Sequence, residues 1–137
     1  MFVNFFQKNF FFRNLVNFFS NIRAKRIVEL FVNDLDEGLK VLDVGCGTCN
    51  ISELLISKGF FVKSLDVKNL SFIKNIKPVL YDGFNFPFKN NCFSVSLLIF
   101  VLHHTKNPEQ IIKESKRVSK EVIIIEDIYK NRFEKFY

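Results

Sequence analysis

The chain has no tryptophan, one methionine, three prolines and three cysteines in 137 residues. An odd number of cysteines builds no disulfide framework, nothing else points to export, and a reducing, cytoplasmic compartment is the expected setting. Acid is absent from residues 1–28, which carry Lys8, Arg13, Arg23, Lys25 and Arg26. A long apolar run is also lacking, because Asn, Gln, Lys and Arg interrupt MFVNFFQKNFFFRNLVNFF every few residues. That segment therefore has neither the roughly 20 apolar residues of a membrane span nor the apolar core and small-residue cleavage site of a signal peptide. Internal repeats are missing, as is any linker long enough to divide the chain.

What remains is the composition of one globular domain, 48% hydrophobic and 25% charged, long enough for a real core. Nineteen phenylalanines, with abundant Asn, Lys and Ile, fit an AT-rich coding sequence and carry no functional weight. The net charge of +6 is uneven. The basic stretch 1–28 suits RNA, an anionic membrane surface or an acidic partner, and equally a solvated helix face. Phe11, Phe12, Leu15, Val16, Phe19 and Ile22 recur at helical spacing, with Arg13, Asn17, Ser20 and Ala24 opposite. Residues 11–35 are thus expected to form one or two amphipathic helices packed on the domain, and residues 1–35 form an N-terminal helical arm.

From Lys40 the pattern changes. Short apolar runs at 40–44, 60–67, 77–82, 93–101 and 120–128 alternate with helical stretches at Ile51–Lys58, Leu70–Lys74 and Pro108–Val118. Strands alternating with helices imply βαβ units and a doubly wound, mostly parallel sheet covered on both faces. Residues 36–137 are expected to form this α/β domain.

The segment KVLDVGCGTCN supports two readings. Cys46 and Cys49 have the Cys-x-x-Cys spacing of a thiol redox site. A glycine precedes the first cysteine, however, where such sites commonly carry an aromatic residue. Cys92, His103 and His104 do not complete the paired spacing of a zinc site either, and no metal is expected. Gly45 and Gly47, behind a strand and before a helix, instead suit a turn where a cofactor touches the backbone. No Lys-Ser/Thr pair follows them, which excludes a phosphate-cradling loop. Asp66 ends the second strand 21 residues after Gly45, and an acid about 20 residues on accepts hydrogen bonds from ribose hydroxyls. Asp82, followed by Gly83, ends the third. Acids without phosphate binders fit a cofactor with ribose and adenine but no pyrophosphate.

VLDVGCGT, Asp66 and the run from YDGFNFPF through VLHHTKNP to VIIIED together resemble the class I S-adenosylmethionine-dependent methyltransferases, nearest the small-molecule group, over roughly residues 25–128. The resemblance implies a Rossmann-like methyltransferase fold with five strands in the order 3-2-1-4-5 and S-adenosylmethionine as cofactor. By position, Asp43, Gly45, Cys46 and Gly47 would line its methionine and ribose portion. Asp66 would hold the ribose hydroxyls, Val67 would pack on the adenine, and Asp82 beside Gly83 would accept from the adenine amino group. Phe100, Val101 and His103 would border the methionine end and the acceptor. Positioning supplies most of the rate in such a transfer. A base is needed only for a protonated acceptor, and His103 or His104, the only histidines, stand at the right edge for it.

Three positions depart from the family pattern. Cys49 replaces a third glycine, Ser94 replaces an aspartate, and the chain stops at Tyr137, before the two strands that normally finish the sheet. The domain is therefore expected to be C-terminally incomplete, with Val122–Ile125 as an apolar edge that a partner chain or second copy would cover. Three functions follow. The first is methyl transfer to a small-molecule acceptor, which the resemblance does not identify. The second is a non-catalytic or degenerate S-adenosylmethionine-binding subunit. The third is RNA or membrane-surface binding through residues 1–28.

Overall fold

A computed structural model describes residues 10–127. Residues 1–9, with Lys8 of the basic arm, and residues 128–137 lie outside the described part. Five strands form one parallel sheet: β1 (Lys40–Val44), β2 (Phe61–Asp66), β3 (Val79–Leu80), β4 (Phe93–Ile99) and β5 (Ser119–Ile125). Their order is β3-β2-β1-β4-β5, and every pairing is parallel. This is the expected Rossmann-like arrangement. The carboxyl ends of β1, β2 and β4 consequently open on one edge.

Side chains alternate along each strand, so a parallel sheet needs apolar cover on both sides. On one face Val41, Val95, Leu97 and Ile99 pack with Ile27, Val28 and Phe31 and with Leu55 of the helix α2 (Asn50–Ser57). On the other, Leu42, Val44, Leu65 and Leu98 pack with Ile111 and Val118 of α3 (Pro108–Val118). Adjacent residues such as Val41 and Leu42 thus serve opposite cores. Arg117 on α3 donates to the carbonyls of Phe86 and Phe88, fastening the β3–β4 connection to that face.

Two expectations are corrected. Residues 67–78 contain no helix. There the Asn69 carboxamide takes the Ser71 N–H at 3.2 Å, and the Ser71 hydroxyl takes the Ile73 N–H at 3.1 Å. These local side-chain bonds compete with a helix, and the Phe72 N–H is bound to Thr48 O.

The second concerns α1 (Phe10–Glu29), one helix followed by a 3-10 turn at Val32–Asp34. From Arg13 to Asn21 it turns its polar stripe inward and its aromatic stripe outward. Asn17 and Asn21 both accept from the Asn50 carboxamide at 2.7 Å, and Arg13 donates to Phe72 O at 3.3 Å. Phe10, Phe18 and Phe19 are exposed. Only Ala24, Ile27 and Val28 anchor the helix by apolar burial. Periodicity located the helix but not the face that docks. No described helix is long and apolar enough to cross a membrane.

Candidate functional site

The turn after β1 carries three left-handed residues, Gly45 (φ +67°), Gly47 (φ +52°) and Cys49 (φ +66°). The Gly45 and Cys46 N–H groups both donate to Leu65 O, at 2.7 and 3.2 Å, which carries the β1–β2 ladder into the turn. A Cβ on Gly45 would stand 2.3 Å from Val101 Cγ2, so any other residue would have to displace Val101 as well as bear the left-handed backbone. A Cβ on Gly47 would meet nothing within 4 Å and would project into open space. Phe100, after β4, is also left-handed (φ +51°), an outlier for so bulky a residue. Strained backbone of this kind collects at functional sites.

Around the turn lies a cleft of about 330 Å³. Its lining includes Gly45, Cys46 and Gly47, with Phe100, His103 and His104 on the β4 side. Ser20 and Arg23 of α1 complete it, and the Arg23 guanidinium sits 4.7 Å above the centre of the Phe100 ring. The helical arm therefore forms one wall of the site. Val101 stands behind Gly45 rather than in the lining.

Asp66, Val67, Asp82 and Gly83 lie outside this cleft, and Asp66 is joined to it through Gly47. The Gly47 N–H donates to Asp66 Oδ2 at 2.8 Å. Asp66 Oδ1 takes the Val67 N–H at 2.7 Å and the Lys68 N–H at 3.4 Å. Each carboxylate oxygen offers two lone pairs, so Oδ1 is filled while Oδ2 keeps one acceptor position. Val67 is half exposed, and a Cβ on Gly83 would lie 3.6 Å from its Cγ1, so the two form one apolar shelf. Asp82 Oδ1 caps the next turn, accepting from Asn85 N at 2.7 Å and Phe84 N at 2.8 Å. Those bonds, Asn85 first, hold its carboxyl below the usual range. Tyr81, packed edge-on against Phe86, has its hydroxyl pushed up to about 12, chiefly by burial and then by the charges of Asp66 and Asp82.

Asp43 is buried and does not line the cleft. Its Oδ2 accepts from Ser52 at 2.6 Å, and Ser52 also shares a hydrogen bond with Ser64 at 2.7 Å. Burial raises its pKa to about 6; the Ser52 bond opposes that rise and the Asp66 charge adds to it. This aspartate braces β1 against α2 and β2 beneath the turn.

The two thiols of the turn hydrogen-bond each other at 3.3 Å. Cys46 is half-buried and lines the cleft, whereas Cys49 is fully buried. Their mutual hydrogen bond draws the Cys49 thiol down against its burial, and the same bond together with burial pushes Cys46 up. A left-handed residue with a Cβ costs about 1–2 kcal/mol relative to glycine, which Cys49 bears at the N-terminus of α2.

Sequence reasoning missed Glu126. Its Oε2 lies 2.7 Å from His103 Nδ1, and its Oε1 accepts the Leu102 N–H at 2.7 Å. The signal was present: Glu126 follows β5 at the carboxyl edge on which Asp66 ends β2. The rings of His103 and His104 are 3.9 Å apart.

The family described as "Methyltransferase domain" matches residues 42–122. The uncharacterized protein MJ1252 of Methanocaldococcus jannaschii is 31% identical over 99 residues, covering 70% of this chain and 39% of MJ1252. The chain thus spans about two fifths of that relative. Its fold is similar to a SAM-dependent methyltransferase from Aquifex aeolicus, with a TM-score of 0.61, 21% identity, and coverage of 79% of this chain and 67% of the other. The [4+2]-cyclase SpnF is similar at a TM-score of 0.59 and 20% identity, covering 73% of this chain and 41% of SpnF. At such identities the likeness is one of fold, and fold alone does not choose a reaction.

Proposed function

This chain belongs to the methyltransferase-domain family, and we propose that it binds S-adenosylmethionine across the carboxyl edge of β1, β2 and β3 and passes the methyl group to a small-molecule acceptor at the His103 end of the cleft. The observation that carries this reading is the 2.8 Å bond from Gly47 N–H to Asp66 Oδ2. It couples the glycine turn after β1 to the acid that ends β2, the two features a ribose-bearing cofactor needs side by side.

The residues fit that cofactor. Gly47 leaves open the space that a Cβ would fill. Oδ2 of Asp66 keeps one acceptor position for a ribose hydroxyl. Val67 and Gly83 offer an apolar shelf of the kind adenine packs against, and Oδ2 of the exposed Asp82, which takes the Asn85 carboxamide at 3.5 Å, keeps one acceptor position for the exocyclic amine. Bound there, S-adenosylmethionine supplies an electrophilic methyl group on a sulfonium.

The chain itself holds and orients. Gly45 and Val101 interlock at the base of the turn, and Arg23 stacked on Phe100 closes the cleft from α1. A carboxylate only accepts hydrogen bonds, so Glu126 selects the His103 tautomer with its proton on Nδ1. Nε2 is then left free to take a proton from a hydroxyl or phenol acceptor. Glu126 is a positioning residue in this scheme and His103 the base.

The test is turnover of methyl-labelled S-adenosylmethionine with a panel of phenols, hydroxy acids and amines. S-adenosylhomocysteine should form together with labelled product. A chain that binds the cofactor yet methylates nothing in the panel would overturn the transfer.

A further inference from the structure

Two sulfurs lie within the turn assigned to the cofactor, and lining that site gives Cys46 no role that needs a thiol and the buried Cys49 no role at all. Cys46 Sγ and Cys49 Sγ are 3.3 Å apart, so about 1 Å of approach would bring them to disulfide length. The backbone permits that approach. The Cys49 N–H donates to Cys46 O at 2.9 Å, and a turn closed in this way keeps its end Cα atoms within about 7 Å, close to the separation a disulfide spans. Cys46 faces the cleft, where a small oxidant can enter, and Cys49 lies fully buried behind it. Cys92, the third thiol, is bonded to Lys89 O at 2.8 Å, on the β3–β4 connection. Cys49 also adopts a left-handed backbone that glycine would adopt without strain.

We propose that Cys46 and Cys49 form a reversible dithiol–disulfide pair that sets whether the turn accepts its cofactor, an inference that rests on reading this turn as the S-adenosylmethionine site. With hydrogen peroxide as oxidant the step balances. Both S–H bonds break and one S–S bond forms, and the two electrons and two protons released convert the peroxide, its O–O bond broken, into two waters. A dithiol reductant reverses the step by exchange.

The consequence follows from what the new ring would enclose. Gly47 and Thr48 lie between the two cysteines. Gly47 N–H holds Asp66 Oδ2 at 2.8 Å, and Thr48 O holds the Phe72 N–H at 3.0 Å. Drawing the Cys46 sulfur toward Cys49 removes it from the cleft wall and turns the Cys46–Gly47 peptide, whose N–H orients Asp66. The reduced turn is the binding form and the oxidised turn is the closed one.

The experiment uses the full chain, reduced and then treated with hydrogen peroxide, alkylated and mapped by mass spectrometry. The expected product is an intrachain Cys46–Cys49 disulfide with Cys92 alkylated, reversed by dithiothreitol. Calorimetry with S-adenosylmethionine should then give an affinity at least about tenfold weaker for the oxidised chain, within the usual span of coupled effects, and recovery on reduction. Cys49→Gly should abolish the response to peroxide, whatever its own affinity. Failure of Cys46 to pair with Cys49, or a disulfide that leaves the affinity unchanged, overturns the proposal. A reduced chain that binds no S-adenosylmethionine overturns the functional reading and the gating built on it. A reduced chain that binds, with an oxidised chain that binds equally, overturns the gating alone.

Discussion

His103 and Glu126 meet at the end of the β4–β5 pair, with Nδ1 2.7 Å from Oε2, while the other oxygen of the same carboxylate holds the Leu102 N–H. One side chain thus fixes both the ring and the backbone turn that carries it. His103→Gln should lower turnover on a hydroxyl or phenol acceptor by about a hundredfold, the lower range for a lost general base. Glu126→Gln should lower it by about tenfold, because an amide can donate to Nδ1 and move the ring proton to Nε2. S-adenosylmethionine affinity, read by calorimetry, should change little in Glu126→Gln. A fall in affinity as large as the fall in turnover would contradict the positioning role.

Gly45 and Gly47 separate stability from binding. Gly45→Ala places a Cβ 2.3 Å from Val101 Cγ2 at φ +67° and should destabilise the fold by about 3 kcal/mol, strain and overpacking together. Gly47→Ala meets no atom within 4 Å and should cost about 1 kcal/mol of stability. Its methyl group projects where the cofactor would lie, so it should still weaken S-adenosylmethionine by about tenfold or more, equivalent to 1.4 kcal/mol. Urea denaturation and calorimetry on both variants check the contrast. Equal effects of the two on stability would refute the packing argument.

Asp43 gives the fold a pH dependence. Its pKa is raised from 3.8 to about 6, by burial first. The folded state therefore holds a proton that the unfolded chain has released across that window, and stability falls as pH rises from about 4 to about 6. Asp43→Asn keeps an acceptor for Ser52 and removes the buried charge. It should be more stable than the unaltered chain at pH 8, by up to about 3 kcal/mol at 1.36 kcal/mol per pKa unit, with the difference vanishing near pH 4. Urea melts at the two pH values measure this. A variant less stable at pH 8 would show that the ionised carboxylate is the favoured form.

Much of this architecture was legible because the physics behind it is local. KVLDV at 40–44 forms β1 over the expected residues, and Pro108–Val118 is a helix as its period required. The glycine turn and Asp66 were readable because strand ends in a parallel sheet share one edge, whereas Asp82 does not end β3, which stops at Leu80, but stands two residues past it in the turn it caps. Residues 70–74 misled because turn bonds from Asn69 and Ser71 outweighed a short apolar period. The docked face of α1 was hidden because it depends on distant partners, Asn50, which pairs with Asn17 and Asn21, and the Phe72 carbonyl, which takes Arg13. Glu126 escaped notice because its meaning lies in His103, 23 residues away in sequence.

β5 ends the sheet on one side, and among the described residues no strand pairs with its outer edge. Ile124 on it is 45% exposed, and such an edge invites pairing with another chain. The chain should self-associate at micromolar concentrations, and Ile124→Lys should reduce this, as read by light scattering. A monodisperse monomer of the unaltered chain would count against the edge as an interface.

Calorimetric titration of the reduced chain with S-adenosylmethionine, beside Asp66→Asn, tests the central claim most directly. The carboxamide in that variant keeps one acceptor for the turn but loses the charge. The account predicts saturable one-to-one binding to the unaltered chain. It predicts binding at least about tenfold weaker in the variant, the cost of losing a charged hydrogen-bond acceptor. No binding heat at millimolar cofactor, or equal affinities in the two proteins, would contradict it.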